Sequence, residues 1–200
     1  MILFLPLIFA AFYKSYFEHF PIFSSRIHWF DNVHAIIASA WMLTLIIQPV
    51  LASRKKYELH RKIGRLTYFI FPLLILSFIP REIRLIVSDE PKNLFFPLAD
   101  SLVLIPLYLL AIYNKKNTAK HMRYMIASAL VIFGPTIGRI GPKLLGLSGI
   151  VTQNVQYTVI YSILIGLILY DNINFKKSQP YLVAIALFFL HQMTFYFLFL

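Results

Sequence analysis

The chain contains no cysteine. That absence excludes disulfide scaffolds, thiol redox centres, iron–sulfur clusters and cysteine-based zinc sites together. Acids are scarce as well: eight Asp and Glu in 200 residues, scattered, which argues against a carboxylate-bridged dimetal centre, and no metal site is read from the sequence. Charged residues make up only 14% of the chain, against about 25% in an ordinary soluble domain. No GxxxxGK[ST], GxGxxG, HExxH or GxSxG occurs, so ATP hydrolysis, nicotinamide-dependent oxidation and serine hydrolysis have no support, and no enzyme activity is assigned.

What is abundant is apolar surface. Hydrophobic residues are 59% of the chain and the mean hydropathy is +0.71. A soluble domain of this size leaves roughly a third of its unfolded-chain surface in water and cannot hide so much apolar area. Disorder is excluded by the same number. The net charge of +11 does not point to nucleic acid, because six cations fall between Arg54 and Arg65 and four between Lys115 and Arg123, in short linkers between apolar runs. Such basic loops are topology signals in a membrane protein.

A helical span needs about 20 residues. Seven segments qualify as predicted spans: 1–17 (short), 32–52, 63–80, 94–113, 121–138, 153–170 and 181–200. They are too continuously apolar for barrel strands, which alternate. The expected fold is therefore an all-α integral membrane protein, a single multi-pass domain over residues 1–200. It is a bundle of seven transmembrane helices, or six if the first segment does not span, with a core from spans two to five. Lys and Arg number twelve in the loops after spans two, four and six, against seven on the other side. This puts those loops and the N-terminus in the cytoplasm and the C-terminus outside. A faint internal repeat is present: Lys55-Lys56 then His60 and Phe71-Pro72, and Lys115-Lys116 then His121 and Gly134-Pro135.

Three sets of residues stand out for chemistry. His34, Trp41 and Gln48 lie at offsets 0, 7 and 14 in span two, on one helix face. They read either as glue between helices or as the wall of a small-molecule site. Asp100 lies inside span four, about 9 Å below the outer boundary, where an acid needs a partner, a proton or water. Arg139, at the outer end of span five, is its favoured partner, with Arg81, Arg84 and His34 at the same level. A salt bridge that locks the bundle and a ligand site are both open. His191 sits in span seven among Phe188, Phe189 and Phe195, as a hydrogen-bonding group or a further ligand residue. Finally, His60 and His121 each open a span from the cytoplasmic side. At equal depth they could ligate one haem b axially.

The run His34, Trp41, Gln48, His60-Arg61-Lys62-Ile63-Gly64-Arg65 and Tyr68 resembles a family of bacterial predicted multi-pass membrane proteins of unknown function. That family's signature is His…Gln…His-Arg-x-x-Gly-Arg. The later run Lys120-His121-Met122-Arg123-Tyr124-Met125, closing with Arg139, looks like the same family's second signature. The resemblance implies a bacterial inner-membrane location and no particular activity. A weaker likeness is to dihaem transmembrane cytochromes of the ascorbate-dependent ferric-reductase type, of which only the His60 and His121 pair has a counterpart here. The expected function is accordingly ligand binding, transport or an accessory membrane role around His34, Trp41, Gln48, Asp100, Arg139 and His191. The alternative is a single-haem redox protein. Expected partners are the lipid bilayer and a small-molecule ligand, with no nucleic acid.

Overall fold

The computed structural model describes residues 4–19, 27–87 and 91–200. Among them every regular element is helical. The nine α-helices are α1 (Phe4–Tyr13), α2 (Trp29–Ser53), α3 (Tyr57–Leu76), α4 (Ile79–Val87), α5 (Phe95–Tyr113), α6 (Thr118–Ala129), α7 (Phe133–Leu144), α8 (Gly149–Ile173) and α9 (Gln179–Phe199). Five helical stretches are long and apolar enough to cross a membrane: α2, α5 with the turn before it, α6 through α7, α8 and α9. The expected seven spans thus reduce to five by length and composition. The first expected span holds only the ten residues of α1, about 15 Å of helix, and residues 1–3 lie outside the described set. The third is carried by α3, whose first turns hold Glu58, Arg61, Lys62 and Arg65.

The limits of the helices follow local chemistry. Asp31 accepts a hydrogen bond from the His28 backbone N–H at 3.0 Å and caps the start of α2. Span three was expected to run to Pro80, yet α3 ends at Leu76 and Pro80 sits in the first turn of α4, where a missing N–H costs nothing. Span five was expected to end at Gly138. It instead runs from Thr118 to Leu144 as 27 residues of continuous helix, tightened to a 3-10 turn at Leu130–Ile132. Pro135 has no N–H for the carbonyl four residues back, Val131, and the tight turn lies where that bond is missing. Ser148 caps α8 through its hydroxyl, 3.4 Å from the Val151 N–H.

The chain divides into two compact units, residues 1–94 and 95–200. In the first, α2 and α3 form an antiparallel hairpin. His34 Nδ1 meets Ser77 Oγ at 2.8 Å, the Trp41 and Phe71 rings lie 5.3 Å apart, and Gln48 Nε2 donates to the His60 carbonyl at 3.1 Å. Three contacts spaced seven residues apart on α2 therefore follow one seam. The second unit packs α5, α6, α7, α8 and α9 together. Its interior includes Leu107, Ser128, Thr136, Gln156, Tyr157, Ile160, Leu164, Phe188 and Phe195, all fully buried. The deepest burial therefore reaches α8 and α9, beyond the spans two to five expected to form the core. Both helices are apolar on nearly every face, so no stripe in the sequence marks which side turns inward.

Candidate functional site

The second unit contains two acids, Asp100 and Asp171, against eight Lys and Arg. Both acids sit within helices, and their surroundings differ.

Asp171, near the end of α8, faces Arg123 in the second turn of α6. Arg123 Nε and Nη2 bond the two carboxylate oxygens at 2.6 Å each. Arg123 Nη1 also donates to the Ala119 carbonyl at 2.9 Å. Both side chains are 4% exposed. This planar, bidentate pair satisfies the carboxylate completely, and short charge-assisted bonds of this kind are the strong ones. The sequence reading missed it, because Arg123 was counted among the cations of a cytoplasmic loop. The available signal was Asp171 itself, an acid two residues from the end of an apolar run.

Asp100, on the second turn of α5, sits differently. Its carboxylate lies over Gly134 of α7, so closely that a methyl group on Gly134 would fall 2.7 Å from Oδ2 and 2.9 Å from Oδ1. Glycine at that position leaves the room the carboxylate occupies. Asp100 Oδ1 is 3.5 Å from His191 Nε2 on α9, too long for a charge-assisted hydrogen bond. His191 Nδ1 in turn meets the Tyr157 hydroxyl of α8 at 2.9 Å. A hydroxyl donates to or accepts from Nδ1 equally well, so Tyr157 holds the ring in either protonation state. The Phe95 ring lies 4.9 Å from the imidazole, edge to face, and Phe195 packs on both Phe95 and Tyr157. His191 and Tyr157 are buried, while the Asp100 side chain keeps 19% exposure.

On the helices that carry Tyr157 and Asp100, three polar atoms close to them in sequence have no hydrogen-bond partner among the described residues. On α8 these are Gln153 Oε1 and Gln156 Oε1, both buried, one turn before and one residue before Tyr157; on α5, next to Asp100, it is Ser101 Oγ. Buried polar groups in a native fold are normally paired, so each of these atoms can still take a partner. A second polar chain runs along the α8–α9 seam: Tyr161 to Gln192 at 2.8 Å, Gln192 to Tyr196 at 3.2 Å and Tyr196 to Asn154 at 2.5 Å.

The remaining sequence candidates distribute as follows. Arg139 lies on α7, five residues after Gly134, and donates from Nη1 to the Pro135 carbonyl at 2.7 Å. His34, Trp41 and Gln48 line the α2–α3 seam of the first unit. Ser77 Oγ donates to the Leu74 carbonyl at 2.6 Å, so it accepts from His34 Nδ1. His60 and His121 play matching parts in their own units. His60 Nδ1 lies 3.3 Å from the Gln48 carbonyl and His121 Nδ1 2.8 Å from the Ala111 carbonyl. A carbonyl only accepts, so in both rings Nδ1 carries a hydrogen. Each ring is thus oriented by a backbone carbonyl through Nδ1, the kind of anchoring seen behind ligating histidines. The faint repeat in the sequence corresponds to this shared staple between the end of one helix and the start of the next.

Fold and site together define an all-helical chain with helices long and apolar enough to cross a membrane and a carboxylate–imidazole–phenol cluster within one helical unit. No protein-family model, curated protein or solved structure matches the chain.

Proposed function

We propose that the protein is a multi-pass plasma-membrane protein whose second helical unit binds a small, positively charged polar ligand within the bilayer, and that its role is to carry that ligand across. The supporting observation is the state of Asp100. In the same unit Arg123 closes on Asp171 with two 2.6 Å bonds, whereas Asp100 has a histidine at 3.5 Å. The unpartnered groups next to Tyr157 in sequence on α8, the Gln153 and Gln156 amide oxygens, are acceptors. A donor-rich cation complements both the carboxylate and these amides. Ionisable groups inside a membrane are expensive and mark substrate or ion paths.

In this reading α3 is a sixth span, because its contacts follow α2 from Gln48 to His34, about 21 Å along the helix axis. The segment of α1 makes a seventh where it crosses. The Lys- and Arg-rich turns after α2, α5 and α8 face the cytoplasm, which places the Arg123–Asp171 pair on the cytoplasmic side and Asp100 toward the outside. The sequence likeness to a bacterial multi-pass family agrees with this location. Thermal unfolding of the purified protein against a panel of amines and inorganic cations tests the proposal. The expected result is stabilisation by at least one member, abolished in Asp100→Asn. A panel without effect, or a purified protein that is red with a Soret band, would overturn it in favour of an accessory or haem-redox role.

A further inference from the structure

We propose that the Asp100 site exchanges one small monovalent cation for one proton, the proton being held on His191. This rests on the reading of Asp100 as a ligand site and adds what leaves when the ligand enters. Three observations carry it. First, His191 touches Asp100 through Nε2 at 3.5 Å and is anchored through Nδ1 by Tyr157 at 2.9 Å. The imidazolium form donates from both nitrogens, to the carboxylate and to the phenol oxygen, and so supplies a counter-charge in contact with Asp100, nearer than Arg139. Second, that contact is loose. The Arg123–Asp171 bonds in the same unit are nearly 1 Å shorter, so the histidine is the cation of the two that a competitor displaces. Third, the carboxylate lies against Gly134 of α7 and meets His191 of α9, which favours a small monovalent competitor over a bulky one.

The exchange balances. The Nε2–H bond breaks, its electron pair stays on nitrogen and faces the incoming cation, and the proton leaves to water. Nδ1–H remains on the Tyr157 oxygen throughout. One positive charge replaces another, so the site never carries an uncompensated charge in a low-dielectric setting. The charged and titratable groups around the pair are few. Arg139 on α7 acts on Asp100 from longer range and keeps its proton under all ordinary conditions. Tyr161 and Tyr196 flank Tyr157. On α6, His121, Arg123 and Tyr124 lie in the first two turns, at the Asp171 end. Histidine is the residue of this set suited to a proton step near neutral pH.

The test is proton release from the purified protein in detergent, with a pH-indicator dye and almost no buffer. Sodium, potassium and methylammonium chloride are added in turn, with N-methylglucamine chloride as the bulky control. At least one of the three should release about one proton per chain, and the control none. By linkage, binding then tightens as pH rises, by at most tenfold per pH unit. His191→Gln should keep stabilisation by the cation while losing the proton release. Tyr157→Phe, which keeps the ring's bulk, should release its proton over a displaced pH range. Cation stabilisation without proton release would sink the exchange and leave the ligand site intact. No response to any of the three cations would sink both.

Discussion

The two acids of the second unit are joined to the same helix, α8, one directly and one through His191 and Tyr157. Tyr157 and Asp171 are 14 residues apart, about 21 Å along that helix. At one end a guanidinium meets a carboxylate in plane, with every hydrogen bond made and almost no exposure. At the other a carboxylate leans on a glycine, its imidazole partner stands at 3.5 Å and bonds a phenol through its other nitrogen, and the Gln153 and Gln156 amide oxygens on α8 have no partner among the described residues. A protein that only needed rigidity would close both ends alike. Under the proposed function the Arg123–Asp171 end holds the bundle and the Asp100 end receives the ligand. Substitutions that are chemically identical at the two ends should therefore have opposite consequences.

The largest effect is expected at the closed pair. Replacing either partner leaves a buried, unpaired charge, and such losses run to about 3–5 kcal/mol. Asp171→Asn and Arg123→Met should each lower the thermal midpoint strongly, while Arg123→Met with Asp171→Leu should recover most of the loss, because the apolar pair leaves no charge behind. Differential scanning fluorimetry in detergent measures all three. If the double variant is as unstable as the sum of the single ones, the pair is not a closed unit and the comparison fails.

How much of this could be seen in the sequence depends on what a residue's neighbours are. Composition alone was enough for an all-helical, membrane-type chain, because 59% apolar residues in long runs leave few other folds. The seven-residue spacing of His34, Trp41 and Gln48 showed one face, and one face is what meets α3. Asp100 and His191 stood out singly as polar groups in apolar segments. Their partnership did not, because it joins residues 91 positions apart through the rotation of α9, and α9 is apolar all round. Tyr157 went unnoticed among twelve tyrosines, and Gly134 was seen only as part of a repeat, since a glycine's neighbours are set by tertiary contact. Arg123 was misassigned because a basic loop and the first turns of a buried helix look the same in sequence. By length and composition five helical stretches qualify as spans among the described residues; α3 carries charges in its first turns and α1 is short, features that mean hydropathy does not weigh.

Intermediate effects separate two glycines on α7. A methyl on Gly141 would overlap the Thr152 side chain down to its Cβ, atoms fixed to the α8 backbone, so Gly141→Ala should cost about 1–3 kcal/mol by overpacking. A methyl on Gly134 would meet only the far end of the Asp100 side chain, which can swing away. Gly134→Ala should therefore cost under about 1 kcal/mol and instead remove cation stabilisation, by displacing the carboxylate from His191. Paired melting curves with and without ligand check both. Equal destabilisation by the two substitutions would mean that Asp100 is as rigidly built in as Thr152.

The smallest effect on stability, and the sharpest contrast, is expected at Asp100 itself. Asn keeps the shape of the side chain and the contact with Gly134 but carries no charge. At Asp171 the same change removes the partner of a buried guanidinium. At Asp100 the contacting group is an imidazole at 3.5 Å, with Arg139 acting from longer range and bonded to the Pro135 carbonyl, so the change strands no guanidinium that the carboxylate alone had paired. The energetic consequence should then stay within about 1 kcal/mol, the range of substitutions that break no buried pair, and could favour the variant, as happens when a functional group is held at a cost to the fold. Asp100→Asn and Asp171→Asn should thus differ by several degrees in thermal midpoint in the ligand-free protein while differing in the reverse sense in cation response: none for the first, retained for the second. If Asp100→Asn melts as early as Asp171→Asn, Asp100 is a structural anchor like its counterpart, and the polar groups around it serve the bundle and not a ligand.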